Sequence, residues 1–133
     1  MLKIPAAIHD NLIAHAKEGF PLEVCGIPGG MGDIVSAIYP MTNTDASNEH
    51  FMMDPREQFA VIKDLRAQGL VMLAIYHSHP ESPARPSTED IKLALTPDVS
   101  YVIISLADAA GADVKSYKIS SGNVQLETIE RMV

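Results

Sequence analysis

Apolar positions along the chain change period several times. Ile8, Leu12 and Ala16 recur every fourth residue, with Pro5 before them and Gly19 after, which predicts an amphipathic first helix. A second helix is better marked. Asp54 can cap it, Pro55 suits the first helical position, Glu57 falls at the third, Phe59, Ile62 and Leu65 supply an apolar stripe, and Gly69 ends it. Two nearly unbroken apolar runs, Leu70 to Tyr76 and Val99 to Leu106, have strand length and predict central strands covered on both faces. Ile34 to Met41, Asp113 to Ile119 and Val124 to Thr128 read as further strands, the last alternating apolar and polar residues. Gly29, Gly30 and Gly32, and later Ser121-Gly122-Asn123, are assigned to turns. The pattern predicts a mixed β-sheet flanked by helices, an α/β (α+β) fold in one domain spanning 1–133.

At 133 residues the chain suits one domain, long enough to form a core without staples. Seventeen acidic against ten basic residues give a net charge of −7, and no basic cluster offsets it, so nucleic acid is not an expected partner. The longest apolar run is far short of the ~20 residues of a membrane-spanning helix, and the stretch from Ile4 to Ile8 is too short for a secretory core. The expectation is a cytoplasmic protein. Cys25 is the sole cysteine, which excludes internal disulfides and any zinc site built on paired cysteines, the nucleobase deaminases included.

The chemistry concentrates in His77-Ser78-His79-Pro80 and the residues after it. In an extended chain residues i and i+2 point the same way, so both imidazoles aim at one point where a buried strand ends. Pro80, Pro83 and Pro86 then stiffen a loop that leads to a new helix near Ser87, bringing up Asp90. Two histidines and an aspartate form a donor set that zinc accepts, leaving a fourth position for water whose pKa would fall toward ~7. Plainer readings compete. Ser87-Thr88-Glu89-Asp90 also matches a helix capping box, Glu89 could replace Asp90 as ligand, and His9, His15 and His50 read as ordinary surface or core residues.

Taken together, Glu23-Val24-Cys25-Gly26, His77-x-His79-Pro80, Ser87 and Asp90 resemble the JAMM (MPN-plus) metalloprotease family, in its compact prokaryotic form. The stretch from Asn43 to Pro55, with Phe51 and Met53-Asp54-Pro55, is similar as well. The resemblance implies the JAMM/MPN, cytidine-deaminase-like architecture. It implies one Zn2+ per chain on His77, His79 and Asp90, with Glu23 as general base and Ser87 as donor to the oxyanion, a role weighed here against helix capping. Cys25 is then a small buried hydrophobe rather than a ligand. The implied reaction cuts a peptide or isopeptide bond after the C-terminal Gly-Gly of a ubiquitin-like or sulfur-carrier protein, its expected partner, with Met52 and Met53 as adaptable contacts or core. Two alternatives remain beside it, a catalytically silent scaffold of the same fold and a small-peptide metallohydrolase. Cupin and facial-triad iron sites fit less well, because no histidine follows His79 and the second ligand of the pair is not a carboxylate.

Overall fold

The computed structural model describes all 133 residues. In chain order the elements are β1 (Leu2–Pro5), α1 (Ala6–Gly19), β2 (Cys25–Met31), β3 (Ile34–Met41), α2 (Pro55–Ala67), β4 (Val71–Met72), β5 (Ala74–His79), α3 (Thr88–Lys92), β6 (Ser100–Ser105), β7 (Asp113–Ser120), β8 (Asn123–Glu127) and β9 (Ile129–Met132). All strands join one mixed sheet in the order β8-β7-β6-β5-β2-β3-β1-β9, with β4 paired to β2 off this path. Strand β5 is parallel to β6, whereas β2 runs antiparallel to both β3 and β5. No helix is long and apolar enough to cross a membrane.

Side-chain alternation sorts the central strands between two faces. Ala74 and Tyr76 of β5, with Val102 and Ile104 of β6, pack against Leu12 and Ala16 of α1. On the opposite face, Cys25 and Ile27 of β2 meet Val61 and Leu65 of α2, while Tyr101 and Ile103 of β6 join Ala84, Tyr117 and Ile119. His77 and His79 keep step with Ile75 and so fall on this second face.

Four local expectations are corrected. The predicted strand from Leu70 to Tyr76 is broken at Leu73: β4 pairs with Gly29 and Gly30 of β2, β5 pairs with Cys25 and Gly26, and the two pairings are out of step by one residue. Gly29 and Gly30 do not form a turn; they lie inside β2, where a Cβ on Gly29 would come 2.3 Å from Leu65 Cδ2 and one on Gly30 2.0 Å from the Ile34 carbonyl oxygen. Their bareness serves close packing, and Gly32 makes the turn. The buried stripe of α2 is Val61 and Leu65, an i, i+4 pair, and Phe59 is left 70% exposed. The short strands β1 and β9, which pair in parallel over four residues, fall outside the sequence expectation. The Asp54 cap is present, its side chain accepting from the Arg56 N–H at 2.8 Å.

Candidate metal centre and active site

Antiparallel register builds one side of the site. Cys25 pairs with His77 and Gly26 with Tyr76, so the chain ahead of β2 runs beside the end of β5. Two hydrogen bonds carry the alignment one residue further: Ser78 N–H donates to the Val24 carbonyl at 3.0 Å, and Val24 N–H donates to Ser78 Oγ at 2.8 Å. The next pair in that register is Glu23 with His79. Glu23 is 4% exposed.

The loop after β5 builds the other side. It is anchored rather than free. Ser105 Oγ donates to the Ser82 carbonyl at 2.6 Å, the Tyr117 hydroxyl donates to the Ala84 carbonyl, and the Ala84 methyl is buried among Tyr101, Ile103 and Ile119. The loop delivers α3 with Ser87 as its N-cap. Ser87 Oγ accepts from the Asp90 N–H at 3.0 Å, and Asp90 Oδ2 accepts from the Ser87 N–H at 2.9 Å. The capping box is therefore real, and the two uses weighed for Ser87 do not exclude each other. Capping occupies a lone pair on Oγ and leaves its O–H hydrogen to donate elsewhere. Asp90 likewise caps and faces the histidines with the same carboxylate.

Three donor atoms then converge. His77 Nε2 lies 3.1 Å from His79 Nε2 and 3.1 Å from Asp90 Oδ2, and His79 Nε2 lies 3.0 Å from Asp90 Oδ2. Tetrahedral zinc with bonds of ~2.0 Å requires donor separations of about 3.3 Å, so the triangle is close to the right size. This is the group of His, Cys, Asp and Glu side chains placed to share an ion, and it fits a single Zn2+. Glu89 is exposed at the rim of the adjoining cavity, and Asp90 takes the position considered for either residue.

Burial and the contacts with Asp90 set the protonation of the site. Burial outweighs Asp90 and lowers the pKa of His77, keeping it in the neutral form that offers a lone pair. Burial also opposes charge on His79, but the hydrogen bonds to Asp90 and the Pro83 carbonyl carry its pKa above the ordinary value. The Asp90 carboxyl is raised by burial yet held far below the usual carboxylate range by hydrogen bonds from both imidazoles. Glu23 moves the other way, to about 7, because burial outweighs the lowering effect of His79. Its Oε1 is buried without a hydrogen-bond partner. A buried carboxyl with an unused oxygen and a pKa near neutrality suits proton exchange.

Asn43 entered the sequence reading only as the start of the family-like stretch, with no role of its own. Its Nδ2 donates to the Glu23 and His50 carbonyls, each at 3.1 Å, and its Oδ1 accepts from the Asp45 and Met52 N–H groups, each at 3.1 Å. One amide thus ties the backbone of Glu23 to the loop from 43 to 53; an Asn beside a Thr-Asp turn was the available signal. Met53 is core and Met52 is half exposed. A cavity of about 380 Å³ opens beside His77 and Asp90, with Phe51, Met52, Ile75 and Leu93 among its walls. His9 and His15 stand apart from the triangle, His15 bonded to the Tyr76 hydroxyl. His50 pairs with Asp45 at the same cavity's edge.

Comparison with known proteins bears on what this geometry belongs to. The CysO-cysteine peptidase of Mycobacterium tuberculosis (strain ATCC 25618 / H37Rv) is 35% identical over 131 residues, covering 97% of this chain and 90% of the relative. The desampylase of Haloferax volcanii is 34% identical over 111 residues, covering 78% of this chain and 80% of its own length. The solution structure of protein DSY2949 from Desulfitobacterium hafniense superposes with a TM-score of 0.89 at 45% identity, covering 99% of this chain and 95% of that one. The family described as prokaryotic homologs of the JAB domain matches residues 5–120, a span that holds the donor triangle, Glu23 and Ser87, and the chain belongs to that family.

Proposed function

We propose that this JAMM-type peptidase holds one zinc ion on His77, His79 and Asp90 and cuts the bond that follows the C-terminal Gly-Gly of a ubiquitin-like or sulfur-carrier protein. The observation that carries the reading is the triangle of donor atoms at 3.0–3.1 Å with Glu23, its Oε1 unpaired, at the adjoining position of the register. When bound, zinc supplies Lewis acidity toward the scissile carbonyl and toward water.

The protein's own groups do the rest. Glu23 takes a proton from the attacking water at Oε1 and returns it to the departing amine, so the bond breaks with water's atoms divided between acid and amine products. A pKa of about 7 lets one carboxyl serve both steps near neutrality. Ser87 donates its hydroxyl hydrogen to the carbonyl oxygen as negative charge develops there, its lone pair already engaged by the Asp90 N–H. A Gly-Gly tail offers no side chains and lets backbone approach the recessed histidines, both 3% exposed. Binding energy must then come from the folded carrier.

The relatives support the choice of substrate class, one being named for a CysO-cysteine bond and another for desampylation. The decisive experiment presents zinc-loaded protein with a β-grasp carrier whose Gly-Gly is followed by a further residue, beside an unfolded peptide bearing the same tail. Cleavage of the folded fusion alone is expected. Equal cleavage of both would make the protein a small-peptide hydrolase, and cleavage of neither would favour the silent scaffold.

A further inference from the structure

The two histidines of the triangle are held in place differently. His79 Nδ1 lies 2.8 Å from the Pro83 carbonyl oxygen, which can only accept, so Nδ1 carries a proton and Nε2 is the nitrogen that would meet a metal at the shared point. That bond fixes both tautomer and ring plane, as a carbonyl behind a ligating histidine commonly does. His77 has no such partner. Its Nδ1 is buried without any hydrogen bond, although its Nε2 does the same work. Phe51 instead stacks on this ring, with centroids 4.6 Å apart and planes inclined by 24°.

We infer that Phe51 is the positioning residue for His77, setting the plane of the imidazole by stacking where His79 uses a hydrogen bond, and so raising the affinity of the site for its metal. The inference rests on the zinc reading above.

The segment that presents Phe51 is built to hold it. On one side the His50 carbonyl accepts from Asn43 Nδ2 at 3.1 Å; on the other the Met52 N–H donates to Asn43 Oδ1 at 3.1 Å. The Met52 carbonyl accepts from Thr44 through both its N–H at 2.9 Å and its hydroxyl at 3.0 Å, and Asn43 bridges to Met53. Both neighbours of Phe51 are thereby pinned through a side chain that also grips the Glu23 carbonyl. A ring on so constrained a backbone has little freedom to leave its partner. A leucine there would retain apolar volume but present no flat face to His77.

The test titrates zinc alone against a chromogenic chelator in the full-length wild type, Phe51→Tyr and Phe51→Leu, and records the visible spectrum of each protein loaded with cobalt(II). Phe51→Tyr is expected within about twofold of the wild-type affinity. Phe51→Leu is expected to bind about 10-fold or more weakly, in the range typical of lost support behind a ligand, with an altered cobalt spectrum and unchanged circular dichroism of the metal-free chain. Equal affinity and equal spectra in Phe51→Leu and wild type would overturn the inference while leaving the zinc site standing. A wild type that binds no zinc would instead overturn the reading beneath it. If Phe51→Leu fails to fold, Asn43→Ala decides the matter by freeing the segment with Phe51 intact: weakened zinc supports the inference and unchanged zinc refutes it.

Discussion

The candidate site has two halves built in contrasting ways. His77, His79 and Glu23 belong to the sheet or lie against it, all buried, and β5 is paired with β2 on one side and β6 on the other. Asp90 belongs to a helix of five residues with no buried position, capped by Ser87 and joined to the sheet through a proline-rich loop and the Ala84 anchor. Strand backbone gives the histidines and the proposed base a fixed frame, whereas the helical half is held by its capping box, by contact with the imidazoles and by half-buried Ile91 against the cluster around Ile103. A bridging cation has the most to contribute where the protein contributes least. A metal on the proposed ligands would then staple the two halves together, in addition to its chemical use.

Removing a donor from the compliant half breaks the comparison most severely. Asp90→Ala is expected to abolish stoichiometric zinc and all turnover, and to loosen α3 through loss of the capping box, while amides of β5 and β6 keep their hydrogen-exchange protection. Elemental analysis with exchange mass spectrometry reads both effects, and wild-type zinc content in this variant would end the assignment of Asp90 as ligand.

Glu23→Gln probes the rigid half with no change of shape. Loss of kcat by ~10²- to 10⁴-fold with retained zinc is expected, because the amide cannot accept the proton. The same variant has a pH signature when metal is stripped. Since the folded-state pKa of about 7 lies above the usual value of 4.5, the native chain holds this proton more tightly than the unfolded chain. Glu23 therefore costs stability as pH rises from about 4.5 to about 7, and the full cost persists above that. Relative to wild type, Glu23→Gln gains at most ~3 kcal/mol across this window. Urea unfolding at pH 5 and pH 8 in chelator measures it, and parallel stabilities of the two proteins would show that Glu23 titrates normally.

The smallest expected effect separates the two uses of Ser87. Ser87→Ala removes both cap and hydroxyl, costing about 1 kcal/mol of local stability and about 10²-fold in kcat, whereas Ser87→Asn restores a capping oxygen without the hydroxyl. Recovery of helix protection without recovery of rate is expected in Ser87→Asn. Equal rates in the wild type and Ser87→Ala would remove Ser87 from the chemistry.

What the sequence disclosed follows from how local each feature is. The convergence of His77 and His79 was legible because strand periodicity acts over a short stretch, whereas Asp90 was preferred to Glu89, and to a purely capping role, only through the family resemblance. Glu23 was found only through a family resemblance, since its place beside His79 depends on which residues of β2 and β5 pair, and no local pattern encodes that register. Gly29 was misread because a glycine reserved for the approach of Leu65 looks in sequence like a glycine reserved for a turn. The stripe of α2 was misplaced because Phe59 is apolar yet faces solvent, where aromatic identity alone says nothing about burial. The stack of Phe51 on His77 spans two segments with no shared periodicity.

The unequal sequence reach of the two halves also bears on the order of assembly. Asp90 is 13 residues from His77 and 11 from His79, whereas the bond from Val24 to Ser78 closes a separation of 54 residues. By loop-closure scaling the longer contact costs about 1.3 kcal/mol more entropy than one of 12 residues. The donor triangle is thus the cheaper closure, and the pairing that seats the proposed base the dearer one. On the proposed assignment the ligand set closes over short loops, and the base joins it only where the chain ahead of β2 runs beside β5.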